Sequence, residues 1–380
     1  MVDAEDEDFI RLQRAAQRMD DLFGMELPDA PGGILFGGRF TVQTPDGEER
    51  KYSAGAADAD RERAFRRCMG EVVETLSQFA HLNPRTPVLS PEPGGLTAEE
   101  CERLLALAGL NEGHCHWLDA VRLSDGSAAA LPVALCLRDY APAGVVLSSG
   151  CAAGRTVKDA TLSAVLELIE RDAVALWWRG GRQPGRFADM DLDAAIARLR
   201  GDDNDRRTWF LDLTTEIGVP VVAALSCRSD GQGIAAGFGA RADRNAAGRA
   251  ALNELLQMEL GNRLVALKHE RSGLDALAPT ERDQLARMTT LHADDAILEG
   301  IESGEQAGNP AFSSLKDIVA LMGASGIEVF AADLTNRDLD IPVVKAVAPL
   351  LQGHPSAVET SRLREQRRRT TLDIPSIALF

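Results

Sequence analysis

Apolar residues recur along this chain at two spacings, one typical of helices and one typical of strands. The longest helical pattern covers residues 157–178, where Leu162, Val165 and Ile169 recur every three or four positions. Similar patterns predict helices at 9–23, 60–79, 97–107, 192–199 and 245–263. Alternating or continuous apolar runs predict strands at 34–42, 49–52, 115–122, 129–137, 209–212, 219–227, 234–239 and 328–334, before a last apolar segment at 341–351. This mixture predicts an α/β fold, with polar surface loops at 270–276 and 303–314.

A glycine-containing turn leads into an acidic helix three times. The three sets are Gly55 with Glu71 and Glu74, Gly150 with Glu167 and Glu170, and Gly237 with Glu254 and Gln257. The first glutamate follows its glycine by 16, 17 and 17 residues. One acidic pair at i and i+3 is common on a solvated helix and indicates no function by itself. Three pairs at a matched distance from a glycine argue against three independent solvated faces. We therefore expect internal pseudo-repeats.

The acidic helices carry the candidate chemistry. Glu167, Glu170 and Arg171 share one face of the long helix, because positions i, i+3 and i+4 are neighbours. If the other acidic pairs face the same cleft, five carboxylates converge there and require a cation. Oxygen ligands favour Mg²⁺, which proteins usually hold together with nucleotide phosphates. The pattern therefore predicts an ATP and Mg²⁺ site, although the sequence contains neither a P-loop nor a G-x-G-x-x-G motif.

The overall charge limits the classes of partner. A formal net charge of −17 argues against general binding to nucleic acid or to anionic membrane, since both require a basic surface. The acidic N-terminal residues do not match a secretory signal, and no apolar run reaches membrane-spanning length. Six cysteines without a C-x-x-C pair suit reduced thiols. These observations predict a cytoplasmic protein.

Several motifs resemble those of the YcaO family. The central one joins Ser148-Ser149-Gly150-Cys151-Ala152-Ala153-Gly154 to Glu167-Leu168-Ile169-Glu170-Arg171-Asp172 and then to Trp177-Trp178. Other matching segments are Ser53 to Gly55 with Glu71 and Glu74, Asp212-Leu213-Thr214 with Glu254 and Gln257, and Asp333-Leu334-Thr335 with Ile341-Pro342-Val343-Val344. The resemblance covers about residues 50–350 in the family's order. It implies a YcaO domain at 51–380 after a lead-in segment at 1–50.

The resemblance also implies roles for individual residues. Residues at or near the metal would be Glu71, Glu74, Glu167, Glu170 and Gln257. Residues that contact the nucleotide would be Ser53, Gly55, Arg67, Ser149, Arg171, Glu254 and Gln257. Glu167 and Arg171 would be catalytic. Arg67 stands where the family normally has a serine, and Thr75 stands where it normally has an arginine.

Three functions are compatible with this resemblance. The first is an ATP-dependent cyclodehydratase, in which a Cys, Ser or Thr side chain of a ribosomally made precursor peptide attacks the preceding amide carbon. The amide oxygen is then phosphorylated and leaves, which forms an azoline ring. The second is thioamide formation with an external sulfur source. The third is a non-catalytic scaffold that binds a peptide or a partner.

The expected partners follow from the same resemblance. Residues 1–50 are too short to hold a leader-binding domain, so we expect a separate leader-binding protein, and the family suggests a homodimer. Azoline-forming members commonly end in a proline-rich motif, whereas 372–380 contains only Pro375.

Four further features keep ordinary interpretations. The sequence His114-Cys115-His116 has no third metal ligand nearby and stays unassigned. Cys151 is interpreted as a small residue in a crowded turn, and Trp177 and Trp178 as core packing. The arginine cluster of residues 362, 364 and 367–369 is most simply a solvated helix face, or a site for an acidic leader.

Overall fold

The computed structural model describes residues 4–83, 89–90, 92–110, 115–142, 145, 147–201, 205–301, 312–353, 356, 358–372, 374–375, 377 and 379. The helices in these ranges are α1 (Ala4–Ala16), α2 (Arg61–Ser77), α3 (Ala98–Ala108), α4 (Val157–Trp178), α5 (Met190–Arg200), α6 (Arg244–Ser272), α7 (Pro279–Thr290), α8 (Leu315–Ala324) and α9 (Ser361–Arg369). The strands are β1 (Asp21–Leu27), β2 (Ala30–Gln43), β3 (Glu49–Asp58), β4 (Leu89–Ser90), β5 (Trp117–Arg122), β6 (Ala128–Pro132), β7 (Cys151–Ala153), β8 (Gly185–Phe187), β9 (Arg207–Asp212), β10 (Val221–Cys227), β11 (Ala235–Ala240), β12 (Phe330–Asp333) and β13 (Val343–Val347).

The strands form three sheets. The N-terminal sheet has the order β1-β2-β3, and the four-stranded sheet has the order β11-β10-β9-β8. The six-stranded sheet has the order β4-β5-β12-β13-β7, with β6 paired to β5. All pairings between these strands are antiparallel. The predicted α/β class is confirmed.

The first predicted helix is wrong over its second half. Helix α1 ends at Ala16, and Asp21–Leu27 is strand β1. In the β1–β2 register Phe23 lies opposite Gly37 and Gly24 lies opposite Phe36, so each aromatic ring covers a glycine on the partner strand. These cross-strand contacts stabilise a hairpin that local helical spacing does not reveal.

Other boundaries also differ from the prediction, and the strand predicted at 49–52 continues to Asp58. Strand β6 ends at Pro132 and a short 3-10 helix follows, so the expected strand at 129–137 is too long. Helix α6 continues to Ser272 before Gly273 ends it, so the expected loop at 270–276 begins too early. Most of the loop predicted at 303–314 lies outside the described residues. The division at residue 50 stays a prediction, and it falls within strand β3.

Helix α4 is buried on nearly every side. Trp177 and Trp178 lie in the core as predicted, and their indole N–H groups donate to the carbonyls of Ile297 and Ile377 at 2.8 and 2.9 Å. Even Glu170 is only 8% exposed. The face that was expected to carry the chemistry is therefore enclosed by protein, which makes its charges costly unless they are paired.

Close packing of α6 against strand β11 fixes the position of the third acidic helix. A Cβ atom at Gly237 would lie 2.2 Å from the amide nitrogen of Leu255 and 2.3 Å from the carbonyl oxygen of Ala251. A side chain at this position would force the helix away from the strand. Gly237 thus sets the distance between β11 and Glu254.

The arginine-rich helix α9 is held by ion pairs within the chain. Arg362 pairs with Asp172 of α4 at 2.8 Å and also contacts Glu216, while Arg367 contacts Glu359 and Arg369 contacts Glu365. Internal pairing therefore accounts for much of the cluster. No helix in the described part of the chain is long and apolar enough to cross a membrane.

Candidate functional site

Backbone N–H groups hold four of the glutamates. The bonds run from Gly55 to Glu71 at 3.0 Å, from Ala153 to Glu74 at 2.8 Å, from Gly150 to Glu167 at 3.2 Å, and from Phe238 to Glu254 at 2.7 Å. In three of these bonds the donor is the predicted glycine or the residue after it. A common local geometry therefore accompanies the sequence offset, while the pseudo-repeats themselves stay a prediction.

Gly150 is the donor whose conformation is most constrained. Its φ angle is +74°, which L-residues with side chains rarely adopt. A Cβ atom there would lie 2.5 Å from the carbonyl oxygen of Ala346 and 2.8 Å from the side chain of Leu168. Only glycine fits this turn, and the turn directs the N–H of Gly150 to Glu167.

Five carboxylates share one region, which we call the carboxylate cleft: Glu71, Glu74, Glu167, Glu170 and Glu254. Burial raises the pKa of Glu71 to about 7, and the charges of Glu254 and Glu167 add to the shift. Glu71 is nevertheless exposed to solvent as a residue, so solvent screens part of this effect. Burial also raises the pKa of Glu170 to about 7, and the pKa of Glu74 well above its usual range. The cleft therefore concentrates negative charge that protein cations do not fully offset.

Arg171 brings a positive charge next to two of the cleft carboxylates. Its Nε lies 3.7 Å from Glu167 Oε1, and its Nη2 lies 4.0 Å from Glu170 Oε1. Burial lowers the pKa of Arg171, but Glu170, Glu167 and Glu254 raise it by more. Within the described part of the chain, Glu71, Glu74 and Glu254 form no ion pair. These uncompensated oxygens suit a hard divalent cation.

The donor set fits Mg²⁺ held jointly with phosphates. Among the described residues, no group of three or more Asp, Glu, His or Cys side chains stands ready to hold a metal ion. Mg²⁺ does not require such a cage, because it retains several waters and commonly takes one or two carboxylates together with substrate phosphates. The predicted metal residues Glu71, Glu74, Glu167 and Glu170 provide enough carboxylates for this arrangement.

A cavity lined by arginines adjoins the carboxylate cleft. It has a volume of about 640 Å³, and its charged and amide lining residues are Asp58, Arg63, Arg67, Arg198, Arg241, Arg249 and Asn253. Arg241 interacts electrostatically with Glu170 and Glu254 of the cleft and with Arg67 of the cavity. This cavity, which we call the arginine cavity, is suited to a polyanion.

Sequence reasoning found Arg67 but missed Arg63, Arg198, Arg241 and Arg249. Arg241 gave one usable signal, because it follows strand β11 directly and precedes helix α6. Binding residues are common on short connections that a rigid scaffold holds in place. The other three lie on or near helices and read as ordinary surface charges.

The remaining predicted contacts are spread more widely. The Gln257 amide lies 3.6 Å from the position that a Cβ atom would take at Gly55, so it borders the cleft. Ser53 is exposed on β3 opposite Arg39. Ser149 lines a different cavity, and its carbonyl accepts a hydrogen bond from Lys345 at 2.6 Å. The roles of these residues toward a nucleotide stay predictions.

Cys115 is half-buried and Cys151 is buried. His114 lies outside the described residues, and the Cys115 thiol donates to the carbonyl of its neighbour His116. Burial raises the pKa of Cys151, which keeps its thiol protonated and unreactive.

The raised carboxyl pKa values predict that stability falls as pH rises. Between the ordinary glutamate pKa of 4.5 and the folded value of about 7, the folded chain binds more protons at Glu71 and Glu170 than the unfolded chain does. We therefore expect the melting temperature without Mg²⁺ to fall between pH 5 and pH 8. Glu170→Gln should flatten this slope, whereas Glu365→Gln at the exposed surface should leave it unchanged. A slope in Glu170→Gln as steep as that of the wild type would contradict the contribution of Glu170.

Comparisons with known proteins agree on the family. The model of a family described as YcaO cyclodehydratase, ATP- and Mg²⁺-binding, matches residues 80–352. An uncharacterised protein of Methanothermobacter thermautotrophicus is 25% identical over 351 residues, which cover 82% of this chain and 85% of that protein. An uncharacterised protein of the tfuA 3′ region of Rhizobium leguminosarum bv. trifolii is 26% identical over 260 residues, which cover 62% of this chain and 60% of that protein.

Solved structures share the fold. YcaO from Methanopyrus kandleri, bound with AMPPCP and Mg²⁺, matches with a TM-score of 0.67 and 20% identity over 92% of this chain and 91% of that chain. A heterocyclase in complex with substrate and cofactor matches with a TM-score of 0.70 and 21% identity over 94% of this chain, which spans only 54% of that chain. The Escherichia coli microcin synthetase McbBCD complex matches with a TM-score of 0.61 and 13% identity, with 87% of each chain covered.

Proposed function

Because this chain belongs to the YcaO family, we propose that it uses Mg²⁺-ATP to phosphorylate a backbone amide oxygen of a ribosomally made precursor peptide. The observation that carries this proposal is the pairing of the carboxylate cleft with the adjoining arginine cavity. The cleft offers oxygen ligands without enough protein cations, and the cavity offers guanidinium groups for a polyanion. Mg²⁺ and a nucleotide triphosphate complement both.

The arginines and the glutamates would bind different parts of Mg²⁺-ATP. Arg67 and Arg241 would hold the triphosphate, because each guanidinium can donate to two phosphate oxygens at once. Glu71, Glu74, Glu167 and Glu170 would hold Mg²⁺, with Gln257 at the edge of the cleft. Glu254 accepts the N–H of Phe238 and keeps α6 in register with this site. When bound, ATP supplies the phosphoryl group and Mg²⁺ offsets its charge.

An amide oxygen is a poor leaving group, and its phosphorylation would make it a better one. A Cys, Ser or Thr side chain of the peptide would lose its S–H or O–H proton and attack the preceding amide carbon, which closes the ring. The oxygen of that amide would take the phosphoryl group from ATP and leave as phosphate, while the nitrogen loses its proton and forms the C=N bond of the azoline. Arg171 lies between Glu167 and Glu170, where it can stabilise negative charge that builds up during transfer.

Thioamide formation is the second candidate. A sulfur nucleophile from outside the peptide would attack the same amide carbon, and the phosphorylated amide oxygen would again leave as phosphate. The carboxylate cleft and the arginine cavity would serve amide activation in both reactions.

We propose three kinds of partner for this reaction. The precursor peptide is the substrate, and a separate leader-binding protein delivers it. A homodimer within a larger complex completes the assembly. The likeness to a chain of the McbBCD complex supports a multi-protein arrangement.

The test is ADP formation together with the mass of the peptide product. The protein, its leader-binding partner, Mg²⁺-ATP and the precursor peptide from the same source would be incubated with and without sulfide. Loss of one water per modified residue, coupled to ADP, supports azoline formation. Exchange of oxygen for sulfur supports the thioamide. If the peptide mass does not change and the protein binds no nucleotide, the non-catalytic scaffold is the function that remains.

Arg241 provides a more local prediction. Arg241→Met should weaken Mg²⁺-ATP binding about tenfold to a hundredfold, because a charged hydrogen bond contributes about 1.5–3 kcal/mol. Isothermal titration calorimetry measures this directly. Arg228→Met is the matched control, since Arg228 is half-buried outside this cavity and pairs with the nearby Asp230. Equal affinity in Arg241→Met and the wild type would contradict the assignment of this cavity to the triphosphate.

A further inference from the structure

A smaller cavity borders the turn that carries Gly150. Its volume is about 280 Å³, and its apolar walls include Leu107, Leu135, Val145, Leu168, Val347 and Leu351. Ser149 and Lys345 supply polar atoms. A cavity of about 150 Å³ with apolar walls is known to accept a ligand the size of benzene. This cavity is therefore large enough for a leucine or phenylalanine side chain.

One wall of this cavity lies close to the carboxylate cleft. Leu168 follows Glu167 on α4 and lines the cavity, and its side chain would lie 2.8 Å from a Cβ atom at Gly150. Gly150 in turn donates its N–H to Glu167. One turn of backbone and one side chain thus separate the cavity from a carboxylate of the candidate reaction site.

Lys345 determines which ligands the cavity rejects. Its side chain is buried, and its Nζ donates to the carbonyls of Leu147 at 2.8 Å and Ser149 at 2.6 Å. Among the described residues that line the cavity, Lys345 is the charged one. A cationic side chain would meet like charge in a poorly solvated space, which is unfavourable. Neutral apolar groups meet no such penalty.

We propose that this cavity binds an apolar side chain of the substrate peptide close to the amide that is modified. This inference rests on the proposed function, because it identifies the cavity as the subsite that sets which sequence enters the cleft. The burial of a leucine-sized side chain accounts for selectivity of about tenfold or more over glycine. The preferred substrate would carry Leu, Ile or Phe near the modified residue and would not carry Lys there.

The test uses small probes and therefore needs no cognate peptide. Ligand-observed NMR would measure the binding of N-acetyl-leucinamide, N-acetyl-phenylalaninamide, N-acetyl-glycinamide and N-acetyl-lysinamide to the full chain. We expect the first two to bind at least about tenfold more tightly than the last two. Leu107→Trp fills the cavity and should abolish this difference. Ala106→Trp adds the same bulk at the exposed neighbouring position and should preserve it.

A second variant distinguishes a change in the cavity from a folding defect. Leu107→Ala enlarges the cavity and should shift the preference from leucine toward phenylalanine. Equal binding of all four probes, or a leucine preference that survives Leu107→Trp, would overturn the proposal.

Mg²⁺-ATP binding and peptide-dependent ADP formation are measured in parallel. Normal turnover without probe selectivity rejects the subsite alone, whereas selective probe binding without any turnover rejects the proposed function and, with it, the assignment to substrate.

Discussion

Glu167→Gln is expected to reduce ADP formation by about a hundredfold to a thousandfold. Glu167 accepts the N–H of Gly150 and lies beside Arg171, so it joins the central turn to the cation in the cleft. Glutamine preserves the shape of the side chain but removes the negative charge that would offset Mg²⁺. Steady-state turnover in the presence of partner and peptide measures the loss, and Glu365→Gln at the surface is the matched control.

The stability of the same variant separates chemistry from folding. Burial and neighbouring carboxylates raise the pKa of Glu167, so its charge is unfavourable in the folded chain without metal. Removal of that charge should leave the melting temperature unchanged or slightly higher. A variant that retains wild-type turnover, or that loses activity only because it unfolds, would contradict the assigned role.

Arg362→Ala is expected to lower the free energy of unfolding by about 3–5 kcal/mol. The Asp172 side chain is fully buried and accepts hydrogen bonds from two partners. These are the guanidinium of Arg362 at 2.8 Å and the backbone N–H of Gln352 at 2.8 Å. Burial raises the pKa of Asp172 even though Arg362 lowers it, so the pairing only partly offsets desolvation. Loss of the guanidinium leaves a buried carboxylate with a single backbone donor.

Urea unfolding measures this effect against a matched arginine. Arg368 lies on the same helix α9 but is exposed, so Arg368→Ala should change the free energy of unfolding by less than about 0.5 kcal/mol. The double variant Asp172→Asn with Arg362→Ala should recover part of the loss, because no buried charge remains. Equal stability of the two arginine variants would mean that the pair contributes nothing.

Local sequence signals predicted the elements that carry their own periodicity. Helix α4 appears at 157–178, as its apolar spacing indicated, and Thr156 caps it by accepting the N–H of Asp159. Strand β1 gave no such signal, because Phe23 and Gly24 are stabilised by residues of β2 more than ten positions away. Long-range pairing of this kind is invisible to a local pattern.

The same limit applies to the site. The matched offsets indicated the carboxylates, and the structure places Glu71, Glu167 and Glu254 each against a backbone N–H. The arginine cavity as a whole could not be predicted, because Arg63 and Arg241 lie far apart in the chain and come to one cavity through the packing of α2 and α6 against β3 and of α6 against β11. In the sequence, Lys345 is one residue of the apolar segment at 341–351. Its position beside the Gly150 turn becomes apparent only from the strand register, in which Lys345 lies opposite Cys151.

The central claim is that ATP transfers its phosphoryl group to a peptide amide oxygen. A precursor peptide that carries a heavy oxygen isotope in the backbone carbonyls of its modified region tests this claim directly. During turnover with Mg²⁺-ATP, mass spectrometry of the released phosphate should find one labelled oxygen for each residue modified, whether the product is an azoline or a thioamide. Unlabelled phosphate, with the isotope retained in the peptide or released in water, would contradict the account.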